Sequence, residues 1–304
     1  MDTTEQYLNM NLREMLAHQA RLLPWIPFYQ KTLVKGQPRY DIYSLAPSKT
    51  YPHRVAENLY IHKDYPQTIL SRIVDSPLRK KHGYKYSDLG YYFLKEIVER
   101  QTGQPLDAYM HQAFYAPLGM TTMTYRPLEK FPKKRLVPTE YDLAFRKQQI
   151  QGDVHDPGAA MMGGVAGHAG LFSNANDLAK LMQLYLNGGT YGGEQLLTQA
   201  TIDDFSRCQF CDDDNRRGAG FDKPTAPGES GPTCDCVSGN SFGHSGFTGT
   251  ITWADTDEEV IYVFLSNRVY PDARNKKLVE MNIRTNIMQV VYDAVNNAKA
   301  ITRR

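Results

Sequence analysis

Three residues at the predicted start of a helix, Tyr86-Ser87-Asp88, carry groups suited to proton transfer. Backbone N–H groups at a helix N-terminus carry partial positive charge, which favours the phenolate form of a neighbouring tyrosine. Tyr86 is therefore a candidate general base, with the Asp88 carboxyl beside it. The alternative is purely structural, in which Ser87 caps the helix and Tyr86 packs at its entry.

A second motif, residues 241–249, reads Ser-Phe-Gly-His-Ser-Gly-Phe-Thr-Gly and enters a predicted β-hairpin. Small residues at the start of a strand allow a substrate backbone to lie alongside it as an added strand. The backbone N–H of Phe247 is then a candidate for an oxyanion hole, and His244 for positioning a proton or a carboxylate. The alternative is a glycine-rich bend with an incidental surface histidine.

A third run, residues 163–173, is rich in glycine and precedes another predicted helix. It matches neither G-x-x-x-x-G-K-[ST] nor G-x-G-x-x-G, so nucleotide binding is disfavoured. We expect this loop to pack closely under a cleft.

Four helices are predicted from apolar spacing and from their start and stop residues. The first covers about Leu12 to Ala20, the second runs from Ser87-Asp88 to Gly103, and the third from Ser173-Asn174 to Gly188-Gly189. The fourth is C-terminal, and its predicted apolar face consists of Ile283, Ile287, Val290, Val291 and Ala294.

Two β-rich runs, Thr248 to Ala254 and Val260 to Leu265, flank a polar turn and predict an antiparallel hairpin. Strands gathered at one end with helices elsewhere indicate an α+β fold. Two strands leave sheet edges exposed, so we expect the remaining strands to come from elsewhere.

Composition narrows the class of protein. A chain of 304 residues can bury a substantial core, and a net charge of +2 gives no footprint for nucleic acid. No apolar run approaches the roughly 20 residues of a membrane helix. The first six residues lack the basic and apolar regions of a signal peptide.

The four cysteines form two clusters, Cys208-x-x-Cys211 and Cys234-x-Cys236. We expect a disulfide between the clusters in an oxidising compartment. Free thiols and a zinc site remain open, although the C-x-C spacing and the lack of a flanking histidine disfavour zinc.

Four segments in order resemble the serine hydrolases of the class C β-lactamase, D-alanyl-D-alanine carboxypeptidase and esterase type. These enzymes use Ser-x-x-Lys, then Tyr-x-Asn, then Lys-Thr-Gly or His-x-Gly. Tyr86-Ser87-Asp88 is similar to the second element and His244-Ser245-Gly246 to the third. Residues 12–20 and 170–179 resemble two further family segments. Residues 242–250 and 264–268 look closest to a β-lactamase-like module that follows a family 3 glycoside hydrolase, a β-N-acetylglucosaminidase, in Bacteroidetes-type bacteria.

The resemblance implies a β-lactamase/transpeptidase-like α+β fold, with an antiparallel sheet flanked by helices and a mostly helical region. It implies a single domain over residues 1–304, helical and loop-rich over about 12–235, with a hairpin and helix over about 240–298. It also implies a location in the periplasm or cell envelope.

The implied reaction is acyl transfer to water from cell-wall D-amino peptides, β-lactams or small esters. Tyr86 would accept and return the proton, Asp88 would lie beside it, His244 would orient the substrate, and the Phe247 N–H would serve the oxyanion hole. The candidate substrate contacts are Ser245, Gly246 and His155. No cofactor, metal or nucleic acid is implied; the expected partners are a small or peptidoglycan-derived substrate and an upstream glycosidase domain.

The sequence departs from the family pattern in three places. No serine has a lysine three positions later, and Ser76, with Arg79 at that position, comes nearest. We therefore expect an N-terminally truncated chain that lacks the nucleophile, its lysine and the first strands, and is inactive by itself. Asp88 replaces the usual Asn, and an ionised Asp88 would disfavour a phenolate at Tyr86. Arg21 replaces a usual Gly.

Two other functions remain open. The chain could be a non-catalytic glycan- or peptide-binding module appended to a β-N-acetylglucosaminidase, as Asp88 and the missing Ser-x-x-Lys suggest. The second open function is hydrolysis of sugars by a pair of carboxylates, but no sequence motif identifies such a pair.

Overall fold

The computed structural model describes residues 3–302, which form two compact units. One comprises residues 3–173 with 270–272, and the other residues 174–269 with 273–302. The Met1-Asp2 start of the segment compared with a signal peptide lies outside the described residues. Helices combined with small antiparallel sheets confirm the predicted α+β class.

The first unit is mainly helical. Its helices are α1 Thr3–Leu8, α2 Leu12–Leu16, α3 Tyr65–Val74, α4 Leu89–Thr102, α5 Leu106–Met110 and α6 Pro157–Met161. Its strands are β1 Leu33–Val34, β2 Gln37–Pro38, β3 Tyr43–Ser44, β4 His53–Ala56, β5 Leu59–Ile61, β6 Pro138–Asp142 and β7 Gln148–Gln151. Strands β3, β5 and β4 form an antiparallel sheet in that order, while β1–β2 and β6–β7 are hairpins.

The core of the first unit lies around α3 and the start of α4. Ile69 and Ile73 of α3, Ile61 of β5 and Leu89 of α4 are completely buried. Each side chain of this size contributes about 1.5–3 kcal/mol when it leaves water. Helix α4 ends at Gly103, which has φ 67° and confirms the predicted stop.

The first predicted helix is shorter than expected. It ends at Leu16 rather than near Ala20, because His18 takes a positive φ of 58° that no right-handed helix can accommodate. Arg21 also has a positive φ, 62°, at the position where the related family carries a glycine. The chain therefore turns sharply between α2 and the segment that leads to Pro24.

The second unit is a small sheet covered by helices. Its helices are α7 Ala175–Leu186, α8 Gln199–Ser206, α9 Lys277–Glu280 and α10 Ile283–Thr302. Its strands are β8 Thr190–Tyr191, β9 Glu194–Gln195, β10 Phe242–Ser245, β11 Ile251–Asp255 and β12 Val260–Phe264. The start of α7 was predicted correctly, since the Asn174 side chain accepts a hydrogen bond from the Asp177 N–H.

The predicted hairpin is confirmed as β11 and β12, but the sheet has a third strand. Strand β10 pairs antiparallel with β11, with His244 opposite Thr252. The prediction that the first strand starts at Thr248 is wrong, because residues 246–250 form the turn between β10 and β11. The expectation that further strands join this hairpin is met in part by β10, which lies just upstream of β11 in the chain.

Alternate residues of the sheet face opposite helices, as the period of two requires. Phe242 and Ala254 pack with Met182 of α7. On the other face, Trp253 and Tyr262 pack with α10. His244 lies two residues after Phe242 on β10 and therefore points to the same face of the sheet as Phe242.

The predicted apolar face of α10 is correct at Ile283 and Val291, which are partly buried, and wrong at its other three residues. Ile287 and Val290 are 41% and 67% exposed, and Ala294 is exposed as well. Met288 and Tyr292 are buried instead. The helix is turned so that the Tyr292 ring fills the sheet face while its hydroxyl donates to Asp255.

The expected disulfide between the cysteine clusters is also wrong. The structure pairs Cys208 with Cys211 and Cys234 with Cys236, each within its own cluster. All four sulfurs are bonded in this way, which leaves neither free thiols nor a zinc-binding set.

Within residues 3–302, no helix is long and apolar enough to cross a membrane.

Candidate active site

Tyr86 and Asp88 lie at the corner where the chain enters α4. The Ser87 hydroxyl accepts from the Leu89 N–H at 3.2 Å and donates to the Leu23 carbonyl at 2.7 Å. The structural alternative is therefore met in part, since Ser87 binds the first N–H of α4 but Asp88 occupies the N-cap position. Tyr86 is 39% exposed, so part of this residue reaches solvent.

His18 supports this corner from the turn after α2. The Ser87 N–H donates to His18 Nδ1 at 3.2 Å, and the Lys85 N–H donates to the His18 carbonyl. The ring centroids of His18 and Tyr86 are 4.2 Å apart. The positive φ of His18 thus serves to place its ring against the Tyr86 ring.

Asp88 is half-buried and makes no side-chain capping bond to α4. Burial raises the pKa of its carboxyl to about 6, the Asp156 charge adds to this effect, and His168 opposes it. At neutral pH this carboxyl is mostly ionised, and under mildly acidic conditions it becomes a hydrogen-bond donor.

Asp156, whose side chain is 24% exposed, and His168 form a partly buried pair that interacts electrostatically with Asp88. His168 Nε2 lies 2.9 Å from Asp156 Oδ1, and the His168 side chain is only 3% exposed. The same Asp156 oxygen accepts from the Ala159 N–H and caps α6. Burial alone would raise the pKa of Asp156, but its hydrogen bonds with His168 and Ala159 hold that pKa below its usual value.

Tyr92 of α4 completes the cluster. Its ring stacks on His168 with centroids 4.2 Å apart. A Cβ at Gly158 would come within 1.9 Å of the Tyr92 hydroxyl, so glycine is required there. Burial first, then the charges of Asp156 and Asp88, raises the pKa of Tyr92 well above its usual value. Tyr92 therefore stays neutral.

Arg146 holds the segment that leads into Asp156. Its guanidinium donates to the Val154 and His155 carbonyls at 2.7 and 2.6 Å. Asp142 binds the same guanidinium at 2.8 Å, and both side chains are almost completely buried. The cap of α6 is thereby tied to the β6–β7 hairpin.

The glycine-rich run 163–173 packs closely, as expected. A Cβ at Gly167 would lie 2.2 Å from the Tyr91 carbonyl oxygen. Gly170 has φ 121° and a similarly close neighbour in the Gly164 carbonyl. These contacts allow the run to bring His168 under α4.

His155, a predicted substrate contact, points toward strand β6. Its Nε2 lies 3.2 Å from Glu140 Oε2. The structure thus brings Tyr86, Asp88 and His155 into one unit but places His155 against Glu140.

His244 lies on β10 in the second unit and is held on both ring nitrogens. Nδ1 lies 2.8 Å from the Ser245 carbonyl oxygen, and Nε2 lies 3.0 Å from Arg217 Nη1. Burial and the Arg217 charge lower the pKa of His244, outweighing the opposite effects of the Ser245 carbonyl and Asp222. His244 is therefore not an incidental surface histidine.

The predicted residues that follow His244 form a tight turn. The Gly246 N–H donates to the Thr250 carbonyl at 2.8 Å, and the Gly249 N–H donates to the Gly246 carbonyl. Phe247 projects from this turn and is 65% exposed, with the Arg268 guanidinium 4.7 Å from its ring centroid. Gly246 and Phe247 therefore lie in the turn that directly follows Ser245, the last residue of β10.

Sequence reasoning missed Asp156, His168 and Arg217. His168 was inside the glycine-rich run, where a histidine flanked by small residues was an available signal. Arg217 had no local signal, since it comes from an irregular segment that contacts β10 only in the folded chain. In residues 3–302, no group of three or more His, Cys, Asp or Glu is arranged to hold a metal ion.

The chain is similar to known proteins over most of its length. The family model described as Beta-lactamase matches residues 1–282. A protein of Escherichia coli (strain K12) named as a D-alanyl-D-alanine carboxypeptidase is 38% identical over 233 residues, covering 72% of this chain and 53% of the relative. A relative of the same name in Salmonella schwarzengrund is 36% identical over 244 residues, covering 75% and 55%. The chain spans about half the length of the curated relatives it matches.

Solved structures share the fold at low identity. A β-lactamase from Mycobacterium bovis superposes with a TM-score of 0.54 at 18% identity, covering 94% of this chain and 74% of that one. A penicillin-binding protein homologue from Caulobacter crescentus gives 0.53 at 18% identity, covering 88% and 69%. Simvastatin synthase from Aspergillus terreus, a LovD9 mutant, gives 0.59 at 17% identity, covering 95% and 69%.

Proposed function

The chain belongs to the β-lactamase family of serine hydrolases, and on this basis we propose that it contributes two of three catalytic elements of an acyl-transfer hydrolase. The elements are the Tyr86-Ser87-Asp88 corner and the His244–Phe247 strand and turn. Identity of 38% to a protein named as a D-alanyl-D-alanine carboxypeptidase is the observation that carries the proposal.

In the proposed reaction a serine hydroxyl attacks the acyl carbon of the substrate. Tyr86 takes the serine proton as the new C–O bond forms, and returns it to the leaving nitrogen or oxygen as the old bond breaks. The Phe247 N–H donates to the oxyanion. Water then hydrolyses the acyl-enzyme by the same steps. The partial exposure of Tyr86 supports this role.

The proposed substrates are D-amino peptides derived from peptidoglycan, with β-lactams and small esters as alternatives. The names of the relatives support the first class. A periplasmic or cell-envelope location and a single functional domain over residues 1–304 are part of the same proposal.

Asp88 gives the site its own pH dependence under this proposal. The Asn of the related motif is a hydrogen-bond donor, and Asp88 matches that property only when it is protonated. A pKa of about 6 places the change within a mildly acidic range. Substrate binding therefore strengthens as the pH falls toward 5.

We propose that these 304 residues by themselves do not form an acyl-enzyme, since no Ser-x-x-Lys is present in them. A serine-directed phosphonate probe and nitrocefin test this directly. The expected result is neither labelling nor turnover by the 304-residue protein. Labelling of any of its serines would overturn the proposal.

The sequence of the upstream reading frame decides between two proposals: an enzyme, or a glycan- or peptide-binding module attached to a β-N-acetylglucosaminidase. If the frame encodes Ser-x-x-Lys, the longer protein should be labelled, and a Tyr86→Phe variant of it should lose most turnover. Unchanged turnover in that variant would contradict the role of Tyr86. Absence of a Ser-x-x-Lys in the frame would favour the binding module.

A further inference from the structure

We infer that Arg217 is a positioning residue for the His244–Phe247 segment: it holds the His244 ring neutral, with its proton on Nδ1, and so orients the Ser245 carbonyl. The biological use of this arrangement rests on the proposed function. Its test does not, since the arrangement is measurable in the chain without any turnover.

The tautomer follows from the donor and acceptor properties of the two side chains. A guanidinium offers only N–H donors and keeps its charge in proteins. His244 Nε2, 3.0 Å from Arg217 Nη1, must therefore accept. The ring proton then lies on Nδ1, which donates to the Ser245 carbonyl oxygen at 2.8 Å.

The neutral state follows from the same contact. A second proton on Nε2 would point at the guanidinium and would bring two positive charges together. Arg217 and Asp222 are charged groups that act on the ring, and His244 is half-buried beside them. The His244 ring thus acts as a rigid link between Arg217 and the Ser245 carbonyl.

Arg217 is itself held firmly enough to act in this way. It is 7% exposed, and its Nη2 lies 3.2 Å from Asp222 Oδ2. Asp222 is fixed to the sheet edge by two backbone hydrogen bonds with Gly243, at 2.7 and 3.1 Å. Arg217 is therefore tied to the residue that precedes His244 on β10.

The contacts from Arg217 through His244 to the Ser245 carbonyl also restrain the turn after β10. The Ser245 carbonyl belongs to the peptide unit that joins Ser245 to Gly246, and Gly246 starts the turn that carries Phe247. Fixing that peptide plane limits the directions available to the Phe247 N–H. His244 then serves to position the strand and turn, while Tyr86 carries the proton.

Nitrogen-15 NMR of histidine-labelled, full 304-residue protein tests the inference. Long-range spectra distinguish protonated from unprotonated ring nitrogens, and the His244 signals are identified by their loss in a His244→Gln variant. We expect the Nδ1–H form at neutral pH and less than half protonation at pH about 6.5, where an ordinary histidine is half-charged. An Nε2–H form, or half-protonation at that pH, would overturn the inference.

Substitutions of Arg217 and of the adjacent Arg216 then show which of the two arginines controls the protonation of His244. Arg217→Ala should raise the pKa of His244 and produce a mixture of both tautomers, and Arg217→Lys should restore the Nδ1–H form. Arg216→Ala is the matched control, because Arg216 binds the same Asp222 at 2.9 Å and donates to the Lys223 carbonyl at 2.8 Å. An unchanged His244 spectrum in folded Arg217→Ala would also overturn the inference. If that variant does not fold, the wild-type spectrum decides. Failure of the proposed acyl transfer would leave these spectra unaffected.

Discussion

One oxygen of Asp156 both caps helix α6 and binds His168 at 2.9 Å. His168 stacks on Tyr92 and interacts electrostatically with Asp88, so a partly buried network extends from α6 to the Tyr86-Ser87-Asp88 corner. Networks of this kind are sensitive to the loss of any member, because each remaining polar group is left without its partner in a low dielectric.

Asp88 should make the protein less stable as the pH rises. An acid whose pKa is raised on folding, here to about 6, favours the folded state when protonated. Its contribution is complete below about pH 4 and is lost as the pH passes through 6. Asp88→Asn should therefore be more stable than wild type at pH 7, by at most about 3 kcal/mol, with little difference at pH 4. Urea unfolding across this range measures the effect.

The exposed Asp75 at the end of α3 offers a control for this experiment. Asp75→Asn, measured at the same two pH values, gives the effect of removing an exposed carboxyl for comparison. A pH-independent difference in Asp88→Asn would contradict the raised pKa.

Removing the Asp156 side chain should destabilise the first unit. Asp156→Ala removes the cap of α6 and leaves the His168 Nε2 buried without its acceptor, at a combined cost of about 2–4 kcal/mol. Asp156→Asn keeps an oxygen in the same place and should cost less than half as much. Equal losses in the two variants, measured by urea unfolding, would show that the shared oxygen is unimportant.

Asp255 anchors α10 to the sheet and should contribute to acid sensitivity. It is completely buried and accepts from Ser238 and from the Tyr292 hydroxyl. Burial alone would raise its pKa, but these hydrogen bonds outweigh burial and hold the pKa below its usual value. Its stabilising effect is thus complete at neutral pH and disappears as the pH falls through that lowered pKa.

Tyr292→Phe tests this anchor because it removes one hydrogen bond to the carboxylate and keeps the ring. We expect a loss of about 1.5–3 kcal/mol at pH 7 and a smaller loss at pH 3, as measured by urea unfolding. Tyr262→Phe is the matched control, since that hydroxyl donates to the Arg284 carbonyl rather than to a carboxylate. A loss that does not change with pH would contradict the assignment.

Strand β12 should promote self-association of the 304-residue protein. It forms an edge of the β10–β11–β12 sheet, and within residues 3–302 no strand pairs with its outer side. An open edge pairs readily with another chain. Sedimentation should show concentration-dependent oligomers, which Val263→Lys on β12 reduces. The control is Val290→Lys on the exposed face of α10. A monomer at all concentrations, or an effect only in Val290→Lys, would rule out the β12 edge.

Local signals predicted those features whose causes are local. The end of α4 at Gly103 and the start of α7 at Asn174 depend on capping residues next to the helix, and the β11–β12 hairpin depends on alternating residues and a short turn. The position of Tyr86 at a helix start was predictable for the same reason.

Features that depend on distant residues were not predictable in this way. Three residues were wrongly assigned to the buried face of α10 because spacing alone cannot show that Tyr292 must reach Asp255. The pairing of the cysteines, the third strand β10 and the shortened α2 each depend on how separate segments meet.

The sequence by itself determined the α+β class, the family resemblance and the two motifs with their order along the chain. Tertiary structure alone decided that Asp156 and His168 act on Asp88, and that Arg217 sets the tautomer of His244. The physical reason is that capping and periodicity act between neighbours in the chain. A pKa or a tautomer depends instead on burial and on charges from residues that only folding brings within a few ångströms.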